Sequence, residues 1–273
     1  MRAVYLVEPL QPLLNKNMNL LRERQVIKRI WQQDHTVWKP DPTEISNRLG
    51  WLSIHEKIQE EIPRLEKFAA DLQRDGIKQV LLLGMGGSSL APEMFSKTFS
   101  KPDQPGLNIL DSTHPQIIKA YSENFSPQTS LYIVATKSGG TLETLSLFQY
   151  FFHQVQESLG KEKAGKHFAG ITDPGSRLVK IGDEANFREI FLNDPNIGGR
   201  YSALSFFGAV PAALIGVDLK KLLLRAKNMA DSCTADKLDT GSHLGITMGE
   251  MSQLGKDKLT LILSKSLSPF GAW

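Results

Sequence analysis

From residue 78 onward the chain alternates short apolar runs with longer segments of mixed polarity. Residues 78–83, 107–110, 130–135, 167–171 and 187–192 are the apolar runs, and clusters of Gly, Ser, Thr and Asp follow several of them. Near-continuous apolar character, rather than strict alternation, marks strands buried on both faces. Five such runs with helix-length segments between them predict a parallel sheet covered by helices, joined by right-handed crossovers. The predicted helices include 92–99, 205–214, 219–229 and 243–254. Before residue 78 the pattern is helical. Leu20, Leu21, Val26, Ile27 and Ile30 recur at helical spacing in a leader over residues 1–40, and 41–45 reads as a turn into another helix. A long amphipathic helix is expected over 54–75, kinked or split at Pro63. Residues 258–263 are again strand-like, with no crossover after them. A lone strand is not stable by itself, so this run is expected to open a second α/β unit. The expected divisions are 1–53 as the leader, 54–230 as the first α/β domain and 231–273 as the start of a second.

Composition narrows the class. The apolar fraction of 41% over 273 residues supplies an ordinary globular core, and net charge is only +3. Acids and bases are interspersed, so no basic stripe points to nucleic acid. Cys233 is the one cysteine, which excludes an internal disulfide framework and suits a reducing compartment. The apolar patch within residues 1–9 is too short for a signal h-region. The longest apolar run, residues 206–217, contains Pro211 and falls short of the ~18 residues a membrane span needs. A cytoplasmic protein with no membrane partner is expected.

Three loops carry candidate chemistry. Residues 135–144, Ala-Thr-Lys-Ser-Gly-Gly-Thr-Leu-Glu-Thr, follow the third apolar run and precede a helix. Glycines admit an anion to the backbone, the first helical N–H groups point at it, and Thr136, Ser138, Thr141, Thr144 and Lys137 add donors and charge. Helix capping would explain one or two of those hydroxyls; four beside a lysine exceed what a cap needs. Residues 84–89, Gly-Met-Gly-Gly-Ser-Ser, offer N–H groups and Ser88 at the end of the first run. A ligand-free strand-to-helix turn would have the same glycines. A dinucleotide fingerprint is a rival reading: Gly84 and Gly86 fit its first two glycines and Asp111 its ribose acid, but Ser89 occupies the third glycine position. Residues 196–202, Asn-Ile-Gly-Gly-Arg-Tyr-Ser, present Arg200 after two glycines. That guanidinium suits a developing oxyanion, or a surface ion pair. The six histidines are scattered and the chain lacks a cysteine pair, so no metal site is expected. Trp31, Trp38 and Trp51 read as core or contact residues.

In order and spacing these three loops resemble the glucose-6-phosphate isomerase family of the SIS (sugar isomerase) fold. Gly198-Gly199-Arg200-Tyr201-Ser202 matches that family's Gly-Gly-Arg-[Phe/Tyr]-Ser signature. The Lys-Ser-Gly-Gly-Thr form of the second loop, with residues 31–38 and 47–52, is similar to the subgroup often fused behind a transaldolase. The resemblance implies a three-layer α/β/α SIS (flavodoxin-like) domain with a parallel sheet, behind the helical leader. It implies a sugar phosphate held by Ser88, Thr136, Lys137, Ser138 and Thr141, with Thr144 nearby and backbone from Gly87 and Gly199. Arg200 would face the sugar C1–C2 region and stabilise a cis-enediol(ate), with no metal or redox cofactor, in a homodimeric parent. The family's general base, ring-opening histidine and C-terminal lysine would all fall beyond Trp273. The chain is therefore expected to be a fragment that binds a phosphosugar without appreciable turnover, Asp111, Glu143 and Asp173 being unmarked as substitutes for the base. Two other readings stay open: a non-catalytic SIS module that senses a phosphosugar, and a dinucleotide-binding oxidoreductase.

Overall fold

The computed structural model describes residues 11–233 and 240–273; the expectations for residues 1–10 lie outside them. The leader forms α1 (Gln11–Glu23) and α2 (Val26–Trp31), then single 3-10 turns at Ser46–Arg48 and Gly50–Leu52. The 41–45 turn, where the Asp41 carboxylate accepts from the Thr43 N–H at 3.0 Å, leads into these 3-10 turns and not directly into an α-helix. Helix α3 (Ile54–Arg74) keeps helical geometry through Pro63, so the expected break does not occur. Pro63 is on the exposed side, while Ile58, Ile62, Leu65 and Leu72 hold the other face in the core.

The α/β region runs β1 (Gln79–Gly84), α4 (Gly87–Phe99), β2 (Gly106–Leu110), α5 (Pro115–Asn124), β3 (Ser130–Ala135), α6 (Leu142–Leu159), α7 (Lys161–Ala164), β4 (Phe168–Thr172), α8 (Arg177–Glu184) and β5 (Glu189–Leu192). After a 3-10 turn at Gly199–Leu204 come α9 (Phe206–Leu214), α10 (Leu219–Ser232), α11 (Thr240–Gln253) and α12 (Ser268–Ala272). All five predicted strands form, within a residue or two of their expected bounds. They pair in parallel in the order β2-β1-β3-β4-β5.

Alternate strand residues feed two cores. Val80, Leu82, Leu131, Ile133 and Ile171 pack with α3, α4, α9 and α10 on one face. Leu81, Leu83, Tyr132, Val134 and Phe168 pack with α6 and α8 on the other. Residues 80–83 are fully buried, which explains why β1 reads as an unbroken apolar run. The crossover from β1 to β2 uses one face, and those from β2 onward use the other. The chain reverses direction across the sheet at the β1/β3 boundary, and in open α/β sheets ligands bind outside the strands' carboxyl ends at such a switch point.

One expectation past residue 230 requires correction. No strand forms at 258–263: the run has no ladder partner, and Ile262 is 96% exposed. Helix α11 packs against the leader's α1 and α12 against α4. The Asn17 side-chain amide donates to Glu250 across the α1–α11 contact.

Candidate active site

Three loops leave the carboxyl edge of the sheet around the switch point. The turn after β1 passes through Gly86, with φ +55°, into the first turn of α4. Gly87 there lies against the Gly199 backbone: a Cβ on it would stand 2.4 Å from the Gly199 carbonyl oxygen. Ser202 fastens the same contact, its hydroxyl donating to the Gly199 carbonyl at 2.7 Å and towards that of Gly87 at 3.4 Å. Ser88 sits half-buried in that first turn. The first and third loops therefore meet as one unit.

The second loop turns sharply after β3. Gly139 has φ +67°, and a Cβ there would stand 2.6 Å from the Ser176 hydroxyl, so the position suits glycine alone. Thr136 is buried and its Oγ1 lies 2.9 Å from Thr141 Oγ1. Thr141 is the N-cap residue of α6, yet its side chain makes no capping bond. The N–H groups of the first turn thus remain without that partner, at the helix end that carries partial positive charge. Thr144, in the first turn of α6, is buried with its hydroxyl unpaired among the described residues. Ser138 Oγ accepts from the Gly140 N–H at 3.3 Å. Capping therefore does not account for the loop's hydroxyls.

Lys137 is oriented differently from its neighbours. Its ammonium pairs with the Asp173 carboxylate after β4 and donates to the Pro195 carbonyl, 3.0 Å away, after β5. Asp194 beside it pairs with Lys57 of α3 at 2.5 Å and accepts from the Asn196 N–H at 2.9 Å. Burial pushes the Asp194 carboxyl up, but those two partners outweigh it and hold it below the usual aspartate range.

Arg200 is exposed and makes no ion pair among the described residues. It lines a cavity of about 590 Å³ with Gly87, Gly198, Gly199, Tyr201 and the leader residues Trp38, Arg48 and Trp51. The lining includes no residue of 136–144, so the Arg200 side and the hydroxyl loop are neighbours across Gly87 rather than walls of one cavity. The leader's part in this wall is absent from the sequence reading. Gly50 donates to the Asn196 carbonyl at 2.8 Å, Leu49 bridges Ile197, and Trp51 stacks on Tyr201 at 5.7 Å. Trp38 and Trp51 are half-exposed, not core. His114, exposed at the N-cap of α5, and Asp111 lie at the β2 end, outside the cavity lining.

The fold and these loops define a doubly wound α/β domain with an anion-suited site at its switch point. Residues 53–239 match the phosphoglucose isomerase family, and the chain belongs to that family. The chain is 32% identical over 200 residues to a glucose-6-phosphate isomerase of Cyanothece sp., covering 67% of this chain and 36% of that protein. It is 28% identical over 245 residues to one of Streptococcus agalactiae, covering 84% and 54%. The chain spans about half the length of the curated relatives it matches. Two solved structures share the fold: a hypothetical protein of Thermus thermophilus (TM-score 0.79, 23% identity, 98% of this chain and 61% of that one) and a glucose-6-phosphate isomerase of Chlamydia trachomatis (TM-score 0.68, 23% identity, 91% and 46%). The domain is a three-layer α/β/α fold, its parallel sheet covered by helices on both faces. Among the described residues, no helix is long and apolar enough to cross a membrane.

Proposed function

We propose that this chain carries the sugar-phosphate half of a glucose-6-phosphate isomerase site. The observation that carries the reading is the uncapped N-terminus of α6 beside the Thr136–Thr141 hydroxyl pair and the buried, unpaired Thr144 hydroxyl. An anion at a helix N-terminus gains from both the N–H groups and the helix dipole. The phosphate would be held by Ser88, Thr136, Ser138 and Thr141, with Thr144 and the Lys137 backbone beside them. Gly87 and Gly199 would lend backbone toward the sugar. Arg200, exposed in the cavity without a carboxylate partner, would meet the sugar at C1–C2. Moving a proton between those carbons builds charge on oxygen, which a guanidinium stabilises without itself being deprotonated. The whole protein would interconvert glucose 6-phosphate and fructose 6-phosphate through a cis-enediol, as a cytoplasmic homodimer without a cofactor.

For this chain the proposal is binding without appreciable turnover. Isomerisation needs a carboxylate poised to take a carbon-bound proton. Asp173 is occupied by Lys137, and Asp111 and Glu143 are exposed at the edge of the loops. Thermal unfolding with 6-phosphogluconate, which joins a phosphate to a C1 carboxylate, tests the reading. A dose-dependent rise in Tm, absent with gluconate and with NAD, is expected. A rise with NAD instead would favour the dinucleotide reading, and a flat response to all three would remove the site. Turnover near the rate of intact isomerases would overturn the claim of inactivity.

A further inference from the structure

We infer that the Lys137 side chain is a positioning strut for the segment carrying Arg200, and not a phosphate ligand. The inference rests on the phosphosugar reading above and changes the role of one residue in it. Lys137 stands in the phosphate loop, where an ammonium would ordinarily be read as a point charge for the anion. Its side chain instead crosses the carboxyl edge of the sheet. It joins the loop after β3 to Asp173 after β4 and to the Pro195 carbonyl after β5. Both members of the ion pair are largely shielded, with side chains 27% and 15% exposed.

Each end of this tie is itself fastened. The Asp173 N–H donates back to the Lys137 carbonyl at 3.1 Å, and the Thr172 hydroxyl donates to the same carbonyl at 3.3 Å. The buried Asn193 amide reaches Asp173 Oδ1 at 3.5 Å and the Asp194 carbonyl at 3.0 Å, while its backbone N–H donates to Thr172 at 2.7 Å. From Pro195 the chain needs only five residues to reach Arg200. Across that stretch Asn196 is held by Asp194 and Gly50, and Gly199 rests on Gly87. The carboxylate cancels the ammonium's charge for any anion nearby. Phosphate recognition then falls to hydroxyls and N–H groups, and Lys137 acts on the sugar's C1 end through Arg200.

A paired neutralisation separates the two roles. In the double variant Lys137→Met/Asp173→Asn the charge beside the loop is unchanged and the tie is gone. Inorganic phosphate probes the loop alone. The ratio of affinities for 6-phosphogluconate and glucitol 6-phosphate, which differ in charge at C1, reads the placement of Arg200. The strut role predicts phosphate affinity within about threefold of wild type and a fall of about tenfold in that ratio, the size of losing one well-placed charge-assisted bond. A fall of about tenfold or more in phosphate affinity makes Lys137 a ligand and overturns the inference, as does an unchanged ratio. A second measurement needs no variant. Trace acetylation of the wild-type chain should label Lys137 equally with and without saturating phosphate, whereas strong protection by phosphate overturns the strut. Failure of wild type to bind phosphate sinks the phosphosugar reading and this inference with it. That case is distinguished because it appears before any substitution is made.

Discussion

At the scale of single residues, the site depends on two glycines that look alike in sequence and differ in surroundings. Gly87 has no room for a methyl group, since a Cβ would press on the Gly199 carbonyl at 2.4 Å. Gly199 faces open space, with nothing within 4 Å of the same atom. Gly87→Ala is therefore expected to cost about 1–3 kcal/mol in urea unfolding, the usual penalty for overpacking, and to displace the Arg200 turn. Gly199→Ala should leave stability within about 0.5 kcal/mol, as surface changes usually do. If the open space is where the sugar sits, it should still weaken 6-phosphogluconate, which calorimetric titration would read. Equal effects on stability from the two variants would contradict the geometry. The hydroxyl loop was legible residue by residue because a run of Thr, Ser, Gly and Lys at a strand end has few other uses. The partner of Lys137 was not, because Asp173 lies 36 positions away and only the adjacency of β3 and β4 brings them together.

Among the elements, the strands were legible and the leader much less so. Five buried runs predicted five strands, since burial on both faces leaves no polar position to blur the pattern. Pro63 misled: a proline inside a helix removes one donor and crowds the preceding turn, yet α3 stays regular because its apolar stripe is held along its length by the sheet and by α9 and α10. That helix should still be weaker for the missing bond. Pro63→Ala, on the exposed face, restores an N–H for the Gln59 carbonyl and is expected to stabilise the chain by about 1–3 kcal/mol, read as a higher urea midpoint at unchanged m-value. A loss of stability would mean that the ring packs against something or that the unfolded-chain entropy of proline dominates. The 258–263 segment failed as a strand for the opposite reason. Its apolar pattern is strand-like, but a strand exists only as a pair, and among the described residues 258–263 joins neither edge of the sheet, β2 or β5.

For the whole molecule, that segment has a consequence. Leu259, Leu261, Ile262, Phe270 and Trp273 are all exposed, and exposed apolar side chains concentrated in one segment promote association. Sedimentation velocity at rising concentration should show self-association, and Leu259→Lys/Ile262→Lys should reduce it without changing the response to 6-phosphogluconate. Persistence of the association in that variant would locate it elsewhere. The separation is expected because neither Leu259 nor Ile262 lines the cavity beside Arg200.

The amino-acid sequence by itself determined the strands, their parallel arrangement and the loops suited to an anion, because burial pattern and loop chemistry are local properties. Tertiary structure alone decided that the loops after β1 and β5 share a backbone contact. It also decided that the leader walls the cavity beside Arg200 and that Lys137 pairs its charge with Asp173. Those outcomes join residues far apart in the chain: strand order sets the loop after β3 beside that after β4, whereas the return of the chain after β5 to α4 and to the leader is made by packing that no local pattern records.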